Sequence, residues 1–149
     1  MSASNKDVIR RLYQQVWNER KLEVLDQLIS KTHALSDTMT VGASVGPEVY
    51  KRNVKRFVTA FPDLHFTVED YVTEKDKVVA SWSVTGTHKG EFIGIAPTGK
   101  KICLSGITIH QLADGKILDS FAIWDALGLL QQMDIALPVH LEKWAASAR

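Results

Sequence analysis

The 149-residue chain lacks most of the features that mark a specialised class. It has one cysteine, Cys103, so no intramolecular disulfide can form. With no apolar run after the first Met, this suggests a reducing cytoplasm and speaks against secretion. No stretch approaches the roughly 20 apolar residues that a bilayer crossing needs. Eighteen Lys and Arg against 17 Asp and Glu leave a net charge of +1, which gives no overall electrostatic reason to bind a polyanion. Neither nucleic acid nor membrane is therefore expected as a partner. The most basic stretch, Lys51, Arg52, Lys55 and Arg56, reads either as a phosphate patch or as the solvated face of an amphipathic helix. His33, His65, His88, His110 and His140 have no His-x-x-x-His or Cys-x-x-Cys spacing, and the glycines form no phosphate-binding loop. No metal or nucleotide cofactor is expected.

What the chain does have is a 45% hydrophobic share at a length that buries roughly 70% of the unfolded surface. Residues 1–149 read as one domain, with a core over about 6–134 and a tail over 135–149. Val8, Ile9, Leu12, Tyr13, Val16 and Trp17 recur at three- and four-residue spacing, which predicts a first helix capped by Ser4 or Asn5. Leu22, Leu25, Leu28 and Ile29 predict a short second helix. A third starts at Gly46-Pro47, where proline suits the first helical position, and Pro62 stops it. The apolar period then changes to two. Strands are expected from Leu64 past Tyr71, over Lys77 to His88, over Lys101 to Leu112, and from Ile117 to Trp124, the last two joined by a tight turn at Asp114-Gly115. A short helix holding Leu127, Leu130 and Met133 follows, and Leu141 and Trp144 predict one or two further turns. Helices first and an antiparallel sheet second is an α+β order. A strongly twisted sheet curls around such helices and can enclose a pocket.

With metals and phosphate loops set aside, acid–base chemistry remains. Asp125 lies between the last strand and the last helix. It fits an N-cap, and equally a carboxyl pointing from the strand end into the pocket, where apolar neighbours would raise its pKa. His110 has the strand parity of Ile102, Leu104 and Thr108; it reads as a structural histidine or as a base. His88 follows a Thr-Gly-Thr run at a strand end, and its simplest role is that of a loop residue. Cys103 reads as a small packing group.

Taken together, Phe61-Pro62-Asp63-Leu64-His65-Phe66, Thr85-Gly86-Thr87-His88-Lys89-Gly90 and Pro97-Thr98-Gly99-Lys100 are similar to the SnoaL-like polyketide cyclase (ester cyclase) family of the NTF2-like superfold. His110, Asp114-Gly115-Lys116-Ile117, Trp124-Asp125 and Leu129-Leu130-Gln131-Gln132 extend the likeness over about residues 6–134. The resemblance implies a cone-shaped α+β fold in which a curved antiparallel sheet wraps around the N-terminal helices and leaves an apolar cavity. It implies closure of a polyketide ring by intramolecular aldol condensation without metal or cofactor. It also implies that Asp125 is the general acid/base and that His110 lies in the same pocket. Trp82, Phe121 and Trp124 are expected to line that pocket, with His88 and Asp37 as further substrate contacts. The same superfold hosts ketosteroid isomerase, where an aspartate base works beside an oxyanion hole containing a tyrosine; Tyr13, Tyr50 and Tyr71 are the candidates here.

Some positions depart from the family pattern. Many members carry Val-His-His-Asp-Pro after the second helix; here Ser36 and Asp37 align there, with His33 a few residues early. Phe121 stands where tryptophan is common, and Asp134 where glycine is usual. The expected partner is an apolar small molecule, and the expected assembly is a homodimer through the sheet. The rival expectation is a non-catalytic binding or dimerisation module of the same fold, with Asp125 as a cap.

Overall fold

The computed structural model of the chain describes residues 4–38 and 42–136. The further helical turns expected around Leu141 and Trp144 lie outside the described residues. Helix α1 (Asn5–Arg11) is capped by Ser4, whose hydroxyl accepts from the Asp7 N–H. The chain then runs on as a π-helical stretch, Leu12–Asn18. A 3-10 turn (Leu22–Val24) leads into α2 (Leu25–Leu28), and the chain leaves it directly into β1 (Ile29–Asp37). Ile29 is thus the first residue of a strand and not the end of the second helix. After the two-residue β2 (Ser44–Val45), α3 (Pro47–Ala60) begins at Gly46, whose φ of 96° suits glycine. Strands β3 (His65–Glu74), β4 (Lys77–Thr87), β5 (Lys101–Ala113) and β6 (Lys116–Trp124) precede α4 (Ala126–Gln132).

The six strands form one curved, open sheet in the order β2-β1-β6-β5-β4-β3. Strands β3 to β6 are antiparallel, as the alternation predicts, whereas β1 lies parallel to β6. The β5–β6 hairpin turns at Asp114 (φ 51°) and Gly115 (φ 76°), so both central residues adopt the positive φ that the dipeptide favours.

Strand alternation fixes which side chains meet the helices. Val78, Ala80, Trp82 and Val84 on β4, and Ile102, Leu104, Thr108, His110 and Leu112 on β5, are buried on the inner face. Against them pack Val8, Ile9, Leu12, Val16 and Trp17 from the first helical segment and Tyr50 and Val54 from α3. The outer face keeps large apolar side chains in solvent: Ile107, Ile109, Phe121 and Ile123 are all exposed. Cys103 is exposed too, so it is not the packing group its strand position suggests. Among the described residues no helix is long and apolar enough to cross a membrane.

Candidate functional site

Between the first helical segment, α3 and the inner face of the sheet lies a pocket with mostly aromatic and aliphatic walls. Cross-strand register explains which strand residues reach it. Asp37 pairs with Ala122, and Ala122 with Thr108, giving one row across β1, β6 and β5. In the next row Leu35 pairs with Ser120 and Ser120 with His110; on the other side Trp124 pairs with Gly106 and Gly106 with Trp82. Gly106 has a specific steric job. A Cβ there would overlap the six-membered ring of Trp82, so only glycine lets the indole lie across β5 and donate from Nε1 to Thr108 Oγ1 at 3.0 Å. From the helices come Tyr13 and Trp17 on the π-helical stretch, and Tyr50, Asn53 and Phe57 on α3. The half-buried Asp37, Asn53, Phe57 and Trp124 form the rim. The interior holds about 100 Å³, several times the roughly 10–15 Å³ that one water occupies on the same measure.

Behind one wall runs a chain of buried polar groups. His33 Nε2 is 3.0 Å from Ser120 Oγ, and Ser120 Oγ is 2.8 Å from His110 Nδ1. His110 Nε2 is 3.5 Å from the Tyr13 hydroxyl. Both imidazoles are sealed from solvent. Burial, which disfavours the charged ring, pushes His33 down to about 4, with partial compensation from Asp119. Burial, with His33 as a second cause, pushes His110 down to about 3. Both rings are therefore neutral near pH 7. Burial also drives the Tyr13 phenol well above its ordinary value, offset in part by Thr108, and raises Tyr50 to about 12. These phenols stay protonated and act as hydrogen-bonding groups. Tyr50 accepts at 3.2 Å from Trp17 Nε1.

The expected site residues separate into three groups. Trp82, Trp124 and Asp37 line the pocket. His110 is one layer behind it, through its partners Tyr13 and Ser120, which do line it. Asp125, Phe121 and His88 are elsewhere. Asp125 is exposed, and its Oδ1 accepts from the Gly128 N–H at 2.8 Å, so its carboxylate caps α4 and does not line the pocket. A Cβ at residue 128 would collide with that carboxylate, which explains the glycine in the first turn of the helix. Phe121 has the opposite strand parity from Ser120 and Ala122 and points out of the sheet, 38% exposed. His88 is buried behind Phe61, with ring centres 5.4 Å apart and Nδ1 bonded to Thr98 at 3.0 Å. There it anchors the 88–100 connection and stays away from the pocket.

Several pocket groups carried no mark in the sequence. Thr108 and Ser120 are ordinary inward positions of strands; His33 meets Ser120 across 87 positions of sequence. For Tyr13 there were two signals, its place among the candidate oxyanion-hole tyrosines and the helical apolar period it shares with Trp17, and that period describes core as well as it describes a pocket wall. Among the described residues, no three His, Cys, Asp or Glu side chains lie close enough together to hold a metal ion.

The family model for SnoaL-like polyketide cyclases matches residues 7–133. A candidate polyketide cyclase from Acidithiobacillus ferrooxidans is 31% identical, with a TM-score of 0.80 over 90% of this chain and 98% of that one. IdmH, a candidate polyketide cyclase from Streptomyces antibioticus, is 26% identical with a TM-score of 0.77, over 89% and 100% of the two chains. A candidate SnoaL-like polyketide cyclase from Jannaschia sp. CCS1 shares the fold with a TM-score of 0.82 at 23% identity, over 89% and 93%. No curated protein matches the chain.

Proposed function

Because the chain belongs to the SnoaL-like polyketide cyclase family, we propose that it is a cofactor-independent cyclase or isomerase for an apolar polycyclic or ester-bearing substrate with a carbonyl next to an acidic C–H. One observation carries this reading: Asp37, on the rim, is the single carboxylate among the described residues that line this aromatic-walled pocket, and the phenol of Tyr13 lines it too. In an aldol-type closure Asp37 takes the proton from the carbon beside the carbonyl, while Tyr13 donates a hydrogen bond to the oxygen that gains charge. The enolate carbon attacks a second carbonyl, a C–C bond forms, and the new alkoxide takes the proton back from Asp37. Atoms and charge balance without an external reagent. Proton transfer by a positioned group contributes roughly 10² to 10⁴ in rate, and a conjugated substrate stabilises its own enolate. Holding both ends of the substrate in one pocket supplies the remainder. Asp37 takes the acid/base role in this scheme because Asp125 caps α4 at the surface.

The reading includes a cytoplasmic homodimer. Its support is the single cysteine and the apolar outer face, where Ile107 pairs with Ile123 and Ile109 with Phe121 across β5 and β6, all four exposed. The non-catalytic alternative draws on one observation, the capping role of Asp125. Titration of tryptophan fluorescence with beta-tetralone, a bicyclic ketone, separates the two. The proposal expects quenching through Trp17, Trp82 and Trp124, lost when Ala122→Trp fills the pocket. Absence of quenching across a panel of apolar ketones would remove the small-molecule reading.

A further inference from the structure

The polar chain behind the pocket has a direction, and hydrogen-bond arithmetic determines it. A serine hydroxyl has one proton to donate and can accept two, while a neutral imidazole donates from one nitrogen and accepts at the other. Ser120 Oγ lies between His33 Nε2 and His110 Nδ1, and His33 Nδ1 is buried with no partner among the described residues. Three arrangements are available to two neutral rings. If Ser120 donates to His33, then His33 carries its proton on Nδ1, a buried N–H with no acceptor. If both rings donate to Ser120, no acceptor in the chain remains for the serine proton. If Ser120 donates to His110 Nδ1 and accepts from His33 Nε2–H, His33 is left only with a bare lone pair on Nδ1, every donor sealed behind the wall has an acceptor, and the one proton left over is that of the Tyr13 hydroxyl, on the pocket wall where a ligand can accept it. Orphaned buried donors are rarer than under-used acceptors, so the third arrangement prevails.

We infer that Ser120 fixes the proton positions of this chain, so that His110 donates from Nε2 to Tyr13 and Tyr13 offers the pocket its hydroxyl proton and not a lone pair. This deepens the reading of the pocket as an acid–base site for carbonyl compounds and rests on it. The ligand must then carry an oxygen that accepts a hydrogen bond at Tyr13. His33 and His110 are positioning residues that act on the ligand only through Tyr13; Ser120 orders their protons from the pocket wall, its own proton committed to His110, and Thr108 beside Tyr13 is held by the Trp82 N–H. The device selects for an acceptor oxygen, of which a carbonyl or enolate is one: a hydrocarbon of the same shape fills the walls but leaves the phenol proton without its partner.

Two measurements test this. Nitrogen–proton NMR of the histidine-labelled wild-type protein reads each tautomer directly; His33 and His110 are both expected in the Nε2–H form, and a proton on His110 Nδ1 overturns the inference. In parallel, fluorescence titration compares beta-tetralone with tetralin, its carbonyl-free analogue. The wild type is expected to prefer the ketone by about tenfold, the upper range of one net hydrogen bond. Ser120→Ala frees His110 to turn its bare nitrogen toward Tyr13, so the preference falls toward unity, and Ser120→Thr restores it. A ketone preference that survives Ser120→Ala contradicts the inference. A wild type with the expected tautomers but no ketone preference sinks the carbonyl-site reading on which the ligand claim rests, and leaves the proton order standing. Should Ser120→Ala not fold, the wild-type tautomers still decide.

Discussion

Acidification tests the buried histidines most quantitatively. His33 and His110 fall from 6.5 in the unfolded chain to about 4 and about 3 in the folded protein. The unfolded chain therefore binds protons below about pH 6.5 that the folded one refuses. Stability is fully present above that pH and is lost as the pH falls toward the folded values, at about 1.4 kcal/mol per pH unit per group. Between about pH 7 and pH 5 each ring removes roughly 2 kcal/mol, so the pair removes up to about 4 kcal/mol of a stability that for small domains is about 5–15 kcal/mol. The exposed carboxylates held low by their partners, Asp7, Glu19 and Asp63, titrate below this window and do not obscure it. Urea unfolding at a series of pH values, with the slope m checked for constancy, reads the effect as a falling midpoint. The double variant His33→Gln/His110→Gln is expected to flatten most of the slope, even with a lower starting stability. A midpoint that does not move in the wild type, or one that moves equally in the double variant, refutes the claim that these rings are held neutral by burial.

Other outcomes follow from single contacts. Asp125→Ala is expected to cost about 1 kcal/mol in chemical denaturation, the usual value of a lost cap, and to leave ketone binding unchanged; a loss of binding with intact stability would return Asp125 to the pocket. Gly106→Ala pushes the Trp82 ring off β5 and breaks its bond to Thr108. It is expected to destabilise by roughly 1–3 kcal/mol, as overpacking does, and to shift tryptophan emission; an unchanged spectrum and midpoint would show that the ring has room to spare. On the outer face, Ile107→Asp or Ile123→Lys is expected to convert a dimer into a monomer in light scattering, whereas a wild type that is already monomeric sinks the dimer proposal.

The last two-thirds of the fold was legible because period two and a single turn dipeptide carry most of an antiparallel sheet: residues 78, 80, 82 and 84 are inward as their alternation requires. The β1 strand was not legible. Leu25, Leu28 and Ile29 keep a helical spacing up to the switch, and Ser30-Lys31-Thr32 shows no alternating apolar face; pairing with β6 decides that segment. The π-helical turn was hidden for a similar reason, since Leu12, Tyr13, Val16 and Trp17 satisfy an α-helical period equally well. At the site, Trp82 and Trp124 could be found from strand parity, while Phe121 could be found only to be on the other face once that parity was counted. Asp125 fitted a cap and a pocket acid alike, and only its bond to the Gly128 N–H separates them. The His33–Ser120–His110 chain depends on a parallel strand pairing that no local pattern announces.

The central claim is that Asp37, in the pocket, moves protons at carbon. It is tested most directly by exchange of the hydrogens beside the carbonyl of beta-tetralone in deuterium oxide, followed by proton NMR with wild type, Asp37→Asn and Asp125→Asn. The account predicts acceleration by at least about 10² in the wild type, loss to the background rate in Asp37→Asn, and retention within about threefold in Asp125→Asn. Exchange that persists in Asp37→Asn and disappears in Asp125→Asn would contradict it.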